Sequence, residues 1–230
     1  MDIVTPDEII FQWVNNLSRI SGISHLLQFI SNDYFVPVII VLVMMGLWFG
    51  ARTVYQRKRN QWAVVYASVG VGLTSLIIHI LNRVLGFDPW LRPFEIWGWV
   101  LRFGYEPTDP SFPANSAAIA FAFATGIWMG NRKAGVLLYT IAALWTFSRL
   151  YVGIHYPLDL LGGMAIGIIT TWVFSKALIM IEPFPTLLLR AAKILHLSDI
   201  PEDDRIFWRP FAALREKTKK NPSSDKTLSV

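Results

Sequence analysis

The 230-residue chain contains no cysteine. That excludes a disulfide framework, a thiolate metal site and a cysteine nucleophile. Charge is scarce: Asp, Glu, Lys and Arg make up 16% of the residues, where a soluble domain carries about 25%. There is no Gly-x-Gly-x-x-Gly run, no P-loop and no internal repeat, so nothing supports nucleotide-driven chemistry. Closely spaced histidine pairs are missing too, and no metal and no cofactor is expected. The opening residues, M-D-I-V-T-P-D-E-I-I, lack a basic segment followed by an apolar core, and no cleaved signal peptide is read.

What remains is apolar: 53% of the chain, with ten Trp and fifteen Phe. Five stretches are nearly free of charge. Residues 34–51, 60–82 and 110–131 contain none, and neither does the shorter 134–148. Residues 160–181 contain only Lys176, near enough to the end to snorkel. About 20 helical residues cross a bilayer, so the pattern predicts five transmembrane helices in an all-α polytopic membrane bundle. Ahead of them, residues 7–30 place Ile9, Ile10, Trp13, Val14 and Leu17 at helical spacing, with Asn15, Asn16, Ser18 and Arg19 on another face. That suits an N-terminal interfacial helix. The expected organisation is an interfacial helix over 1–33, a membrane helical domain over 34–182 and an amphipathic, basic tail over 183–230.

The net charge of +5 does not point to nucleic acid, because the cations concentrate where a membrane protein carries them. Arg52, Arg57, Lys58 and Arg59 fill the first loop, Arg132 and Lys133 the third, and nine Lys or Arg residues the tail. Alternating spans put these segments on one side, which is then cytoplasmic. The tail is either solvated or held electrostatically on the membrane. The opposite, extracytoplasmic side keeps Arg19, Arg83, Arg92, Arg102 and Arg149.

Three outward segments carry chemistry. The last, S-R-L-Y-V-G-I-H-Y-P-L-D at 148–159, sets Ser148, Arg149, His155 and Asp159 within twelve residues between two apolar spans. The arginine fork matches phosphate oxygens, and histidine can attack phosphorus. An aspartate four residues on can fix the imidazole tautomer. Charges this close to a membrane core are costly, which makes them functional candidates. Upstream stand Arg92-Pro93 and S-F-P-A-N-S-A-A at 111–118, where a proline at a helix start leaves backbone N–H groups for an anion.

In this order, and on one side, the segments resemble the type-2 phosphatidic acid phosphatase superfamily, which also holds vanadium haloperoxidases and glucose-6-phosphatase. Its pattern runs K-x6-R-P, then P-S-G-H, then S-R-x5-H-x3-D. The third motif matches at every defined position, and the likeness covers roughly residues 36–172. The resemblance implies an integral membrane lipid phosphate phosphatase of the cell membrane, with membrane lipids and a phosphorylated lipid as partners. Phosphatidic acid, phosphatidylglycerol phosphate or a polyprenyl (di)phosphate would be the substrate. His155 would form a phosphohistidine and Asp159 would orient it. Arg92 and Arg149 would bind the non-bridging oxygens, with Ser148 and Asn115 further phosphate-binding candidates. Asn115 could equally cap its helix.

Two positions depart from the pattern. The first-motif lysine falls on Leu85, and Arg83 replaces it only if the loop is longer by two residues. P-S-G-H reads Pro113-Ala114-Asn115-Ser116, so the histidine that would protonate the leaving group becomes Ser116, a poor proton donor. A lipid alkoxide leaving group needs that proton; a leaving phosphate needs it much less. The departure is compatible with a diphosphate phosphatase. It is also compatible with an impaired protein that binds or translocates lipid phosphates, and a lipid phosphotransferase is a third reading.

Overall fold

The structure, a computed structural model, describes residues 5–17, 22–84, 90–98, 100, 107 and 109–180. Their regular secondary structure is all helix, with no strand among the described residues. In chain order they form α1 (Pro6–Leu17), α2 (Ser24–Ser31), α3 (Phe35–Phe49), α4 (Val54–Val84), α5 (Pro93–Ile96), α6 (Asn115–Gly130), α7 (Arg132–Val152) and α8 (Pro157–Met180). The basic tail lies outside the described residues, as do Arg19, Leu85 and Arg102.

Among the described residues, three helices are long and apolar enough to cross a membrane: α4, α7 and the Pro157–Leu178 part of α8. A fourth candidate is the pair α2 and α3, which qualifies jointly but is bent by 63°. At 16 residues, α6 is apolar but short. The fifteen-residue stretch 134–148 is extended at both ends into the 21 residues of α7.

Small residues let α4, α6 and α8 approach closely, which is how helices associate where burial alone gives no driving force. A Cβ on Gly126 of α6 would lie 2.3 Å from Ala67 Cα of α4. On α8, a Cβ at Gly163 or Gly167 would lie 2.2 Å from the carbonyl oxygen of Ala114 or Ala118, respectively. Around this seam Ala120, Ala124, Ile127, Leu138 and Trp145 form the main buried cluster. The bundle has two distinct ends. At one, Asn131 Nδ2 donates to Asn60 Oδ1 at 3.0 Å, which sets the α6–α7 turn and its Arg132 beside the basic start of α4. At the other, α6 and α8 begin and α7 ends.

The N-terminal stretch differs from a single interfacial helix with one polar face. It is divided into α1 and α2, and α1 buries Phe11, Val14 and Asn15 while exposing Ile9, Ile10, Trp13 and Leu17. Asn15 turns inward because the last carbonyls of α7 lack helical partners: its Nδ2 donates to Tyr151 O at 3.1 Å. Asp7 Oδ1 accepts from Leu158 N at 3.0 Å, meeting a first-turn donor of α8. Phe11 packs edge-on against Tyr156 at 5.3 Å between ring centroids. Helix α1 therefore braces the turn between α7 and α8.

Candidate active site

That turn starts at Gly153, whose φ of 88° is left-handed and ends α7. Its N–H returns to Leu150 O and that of Ile154 to Arg149 O, satisfying carbonyls that the helix end leaves open. The chain then doubles back, bringing His155 inward, and Pro157 starts α8 as a residue with no N–H to lose. His155 is 2% exposed.

The imidazole is held by a backbone carbonyl and a guanidinium. Its Nδ1 lies 3.1 Å from the Ser111 carbonyl, which can only accept, so Nδ1 carries the proton. The Nε2 lone pair then accepts from Arg92 Nη1 at 3.2 Å, and the same guanidinium nitrogen lies 3.4 Å from Nδ1. Asp159 is close but not in contact, with Oδ2 4.0 Å from Nδ1. That oxygen instead accepts from the Ser111 hydroxyl at 2.5 Å and from Tyr156 N at 2.9 Å. Ser111 thus joins the aspartate to the histidine by its two ends. Burial first, then the positive charges of Arg92 and Arg149, hold the His155 imidazole well below the usual histidine range, so it is neutral.

Arg92, 1% exposed, spreads its fork over the turn. Nε and Nη2 donate to Asp109 O at 3.2 and 3.0 Å, Nη2 also to Asp109 Oδ1 at 2.7 Å, and Nη1 to Ile154 O at 3.3 Å. Burial lowers its pKa, against the opposing pull of Asp109. Its own N–H donates to Glu95 Oε2 at 2.6 Å, which secures the short α5. Arg149 is buried in the last turn of α7, pairs with Asp33 and lies 4.9 Å over the Trp145 ring. Its Nε has no hydrogen-bond partner, and its Nη2 meets Asp33 as an ion pair only.

The second segment is seated by backbone. Ala114 N donates to Asp159 O at 3.0 Å and Ser111 N to Trp90 O at 3.0 Å, so the head of α6 lies against the aspartate. Ala114 is the residue before the helix and offers no side-chain cap, and Asn115 is the first helical residue. Asn115 Oδ1 and Ser116 Oγ are both buried without a partner.

Of the residues the sequence singles out, Arg92, His155 and Asp159 meet in one hydrogen-bonded cluster, with Arg149 beside it. Ser148 is fully buried and its hydroxyl donates to Trp145 O in its own helix at 2.7 Å, not into the cluster. Arg83 is exposed on the last turn of α4, and among the described residues no hydrogen bond or ion pair ties it to the cluster. Ser111, Asp109 and Asp33 are the residues that sequence reasoning missed.

A family model described as the PAP2 superfamily matches residues 63–181, just over half of the chain. The chain belongs to the PAP2 superfamily. It is 29% identical over 181 residues to the undecaprenyl-diphosphatase BcrC of Bacillus subtilis, covering 79% of this chain and 89% of that one. Among solved structures it is similar in fold to Aquifex aeolicus LpxE, with a TM-score of 0.56 at 22% identity over 77% of this chain and 99% of that one. The PAP2-type phosphatidylglycerolphosphate phosphatase of Bacillus subtilis gives 0.53 at 20% identity, over 77% and 87%. The matched region includes Arg92-Pro93, the whole of α6 and α7 and the residues of the α7–α8 turn.

Proposed function

We propose that this PAP2-superfamily membrane phosphatase hydrolyses the anhydride of a polyprenyl diphosphate, with His155 as nucleophile. The observation that carries the nucleophile is a buried imidazole whose Nδ1–H is committed to Ser111 and whose Nε2 faces the Arg92 fork. A phosphoryl group bound by Arg92 and Arg149 would sit at that nitrogen. Nε2 attacks the terminal phosphorus, the anhydride P–O bond breaks, and the lipid monophosphate leaves with the electron pair. Water then attacks the phosphohistidine, the P–N bond breaks, and inorganic phosphate departs while the imidazole regains its lone pair. The arginines offset the charge spread over the equatorial oxygens in both steps.

Substrate class follows from the head of α6. Ser116 and Asn115 offer no group that ionises near neutral pH, so a leaving alkoxide would go unassisted. A leaving phosphate needs little assistance. The name of the Bacillus subtilis relative supports the same choice. We further propose five crossings, by α3, α4, α6, α7 and α8, in a membrane domain over 34–182. The basic end then faces the cytoplasm and the His155 end faces outward.

The deciding experiment is phosphate release by purified protein in detergent, from undecaprenyl diphosphate and from phosphatidic acid. Faster turnover of the diphosphate, abolished in His155→Ala, is expected. Activity that survives His155→Ala, or a preference for phosphatidic acid, would overturn the reading. For sidedness, single cysteines replacing Arg57 and Tyr151 should react with impermeant thiol reagents from opposite faces of sealed vesicles.

A further inference from the structure

Both arginine forks carry carboxylates that no motif contains. Arg92 Nη2 meets Asp109 Oδ1 at 2.7 Å, and Arg149 Nη2 pairs with Asp33. Asp109 belongs to the loop ahead of α6, and Asp33 to the bend between α2 and α3. Burial is one-sided in each pair. The arginine side chains are 2% and 4% exposed, whereas those of Asp109 and Asp33 are 44% and 30% exposed.

A guanidinium stays charged at any physiological pH, and a buried charge needs a counter-ion. Each fork therefore needs an anion between turnovers as well as during them. Arg92 cannot retreat when a phosphate arrives, because its other donors hold the backbone carbonyls of Asp109 and Ile154. Arg149 is confined by its helix and by the Trp145 ring. The groups free to move are the two partly exposed carboxylates, which lie on the solvent side of each pair.

We propose that Asp109 and Asp33 are anion placeholders. They occupy the Arg92 and Arg149 forks until a phosphate group displaces them, and they reclaim the forks as inorganic phosphate leaves. A tethered carboxylate competes at high effective concentration, so free phosphate binds weakly and product inhibition is limited. A lipid-anchored phosphate gains from its membrane confinement and overcomes the competition. The role in turnover rests on the phosphatase reading; the binding behaviour rests on the ion pairs alone.

Asp109→Asn and Asp33→Asn keep the shape of each side chain and remove its charge. Calorimetric titration of inorganic phosphate into the solubilised full-length protein needs no turnover. Each variant is expected to bind phosphate about three- to tenfold more tightly than wild type. Phosphate should also inhibit release from the lipid diphosphate more strongly, with a lower kcat as product departs more slowly. Unchanged or weaker phosphate binding in folded variants overturns the proposal. Wild-type protein gives a second readout that no folding defect can obscure. Added phosphate should raise carbodiimide-dependent labelling of Asp33 and Asp109 relative to the other carboxylates, against a sulfate control, and no rise also overturns the proposal. Should wild type turn over no lipid phosphate while both phosphate readouts hold, the placeholders stand and the phosphatase reading falls.

Discussion

The Ser111 hydroxyl donates to Asp159 Oδ2 at 2.5 Å, while the carbonyl of the same serine accepts from His155 Nδ1. Aspartate and histidine are thereby coupled through one residue rather than by contact. Ser111→Ala removes the hydroxyl and leaves the carbonyl. We expect kcat to fall about tenfold with KM nearly unchanged, since a buried carboxylate losing a donor costs on the order of 1–3 kcal/mol. The decisive measurement is a double-mutant cycle with Asp159→Asn. Strong non-additivity is expected, whereas independent effects would mean that the serine only supports the fold.

Ser116 stands where the PAP2 pattern has a histidine. Ser116→His should raise hydrolysis of a lipid monophosphate by up to ~10²-fold and that of its diphosphate far less. Paired rates for both variants on both substrates measure this. Equal gains would contradict the leaving-group argument.

Arg92→Lys replaces a planar fork by a point donor. A single ammonium cannot reach Asp109, Ile154 and His155 together as the guanidinium does. A loss of roughly 10²-fold in kcat/KM is expected, the scale of removing one transition-state donor.

The burial that keeps His155 neutral has a pH signature with a definite sign. The folded state resists protonation and the unfolded state does not, so below the ordinary value of about 6.5 the unfolded chain binds more protons. Stability from this group is intact above that pH and declines as pH falls towards the lower folded value. The acid limb of kcat/KM, which reports the free enzyme, should accordingly lie below 6.5. A limb at or above 6.5 that His155 accounts for would contradict the burial argument.

Asp7 reaches across 151 positions to meet the first turn of α8. Asp7→Ala should lower stability by about 1 kcal/mol, the scale of a lost helix cap. It should also reduce kcat, because the freed donor adjoins the turn that carries His155. Thermal melts and rates on the same preparation test both; a stability loss with unchanged kcat would confine α1 to the scaffold.

The legible parts of this molecule were those encoded by spacing. The R-x5-H-x3-D interval places its residues around one helix end and one helix start, so Arg149, His155 and Asp159 could be named together. Long apolar runs marked α4, α7 and α8 for the same reason. The contacts that complete the site join residues tens of positions apart with no repeating interval. Ser111 was visible as the head of S-F-P, but its carbonyl acts through a backbone position that side-chain identity does not signal. Asp33 and Asp109 belong to no motif. The inward turn of Asn15 contradicts its polarity and follows only from the open carbonyl of Tyr151.

The close approach of Gly163 and Gly167 to Ala114 and Ala118 makes activity a report on helix association. His155 and Asp159 belong to the turn and first residues of one helix, Ser111 to the approach of another, and they meet only when α6 and α8 are docked. Each helix retains its internal hydrogen bonds if that docking loosens. In progressively harsher detergents, catalysis should therefore vanish while far-ultraviolet circular dichroism still reads a fully helical protein.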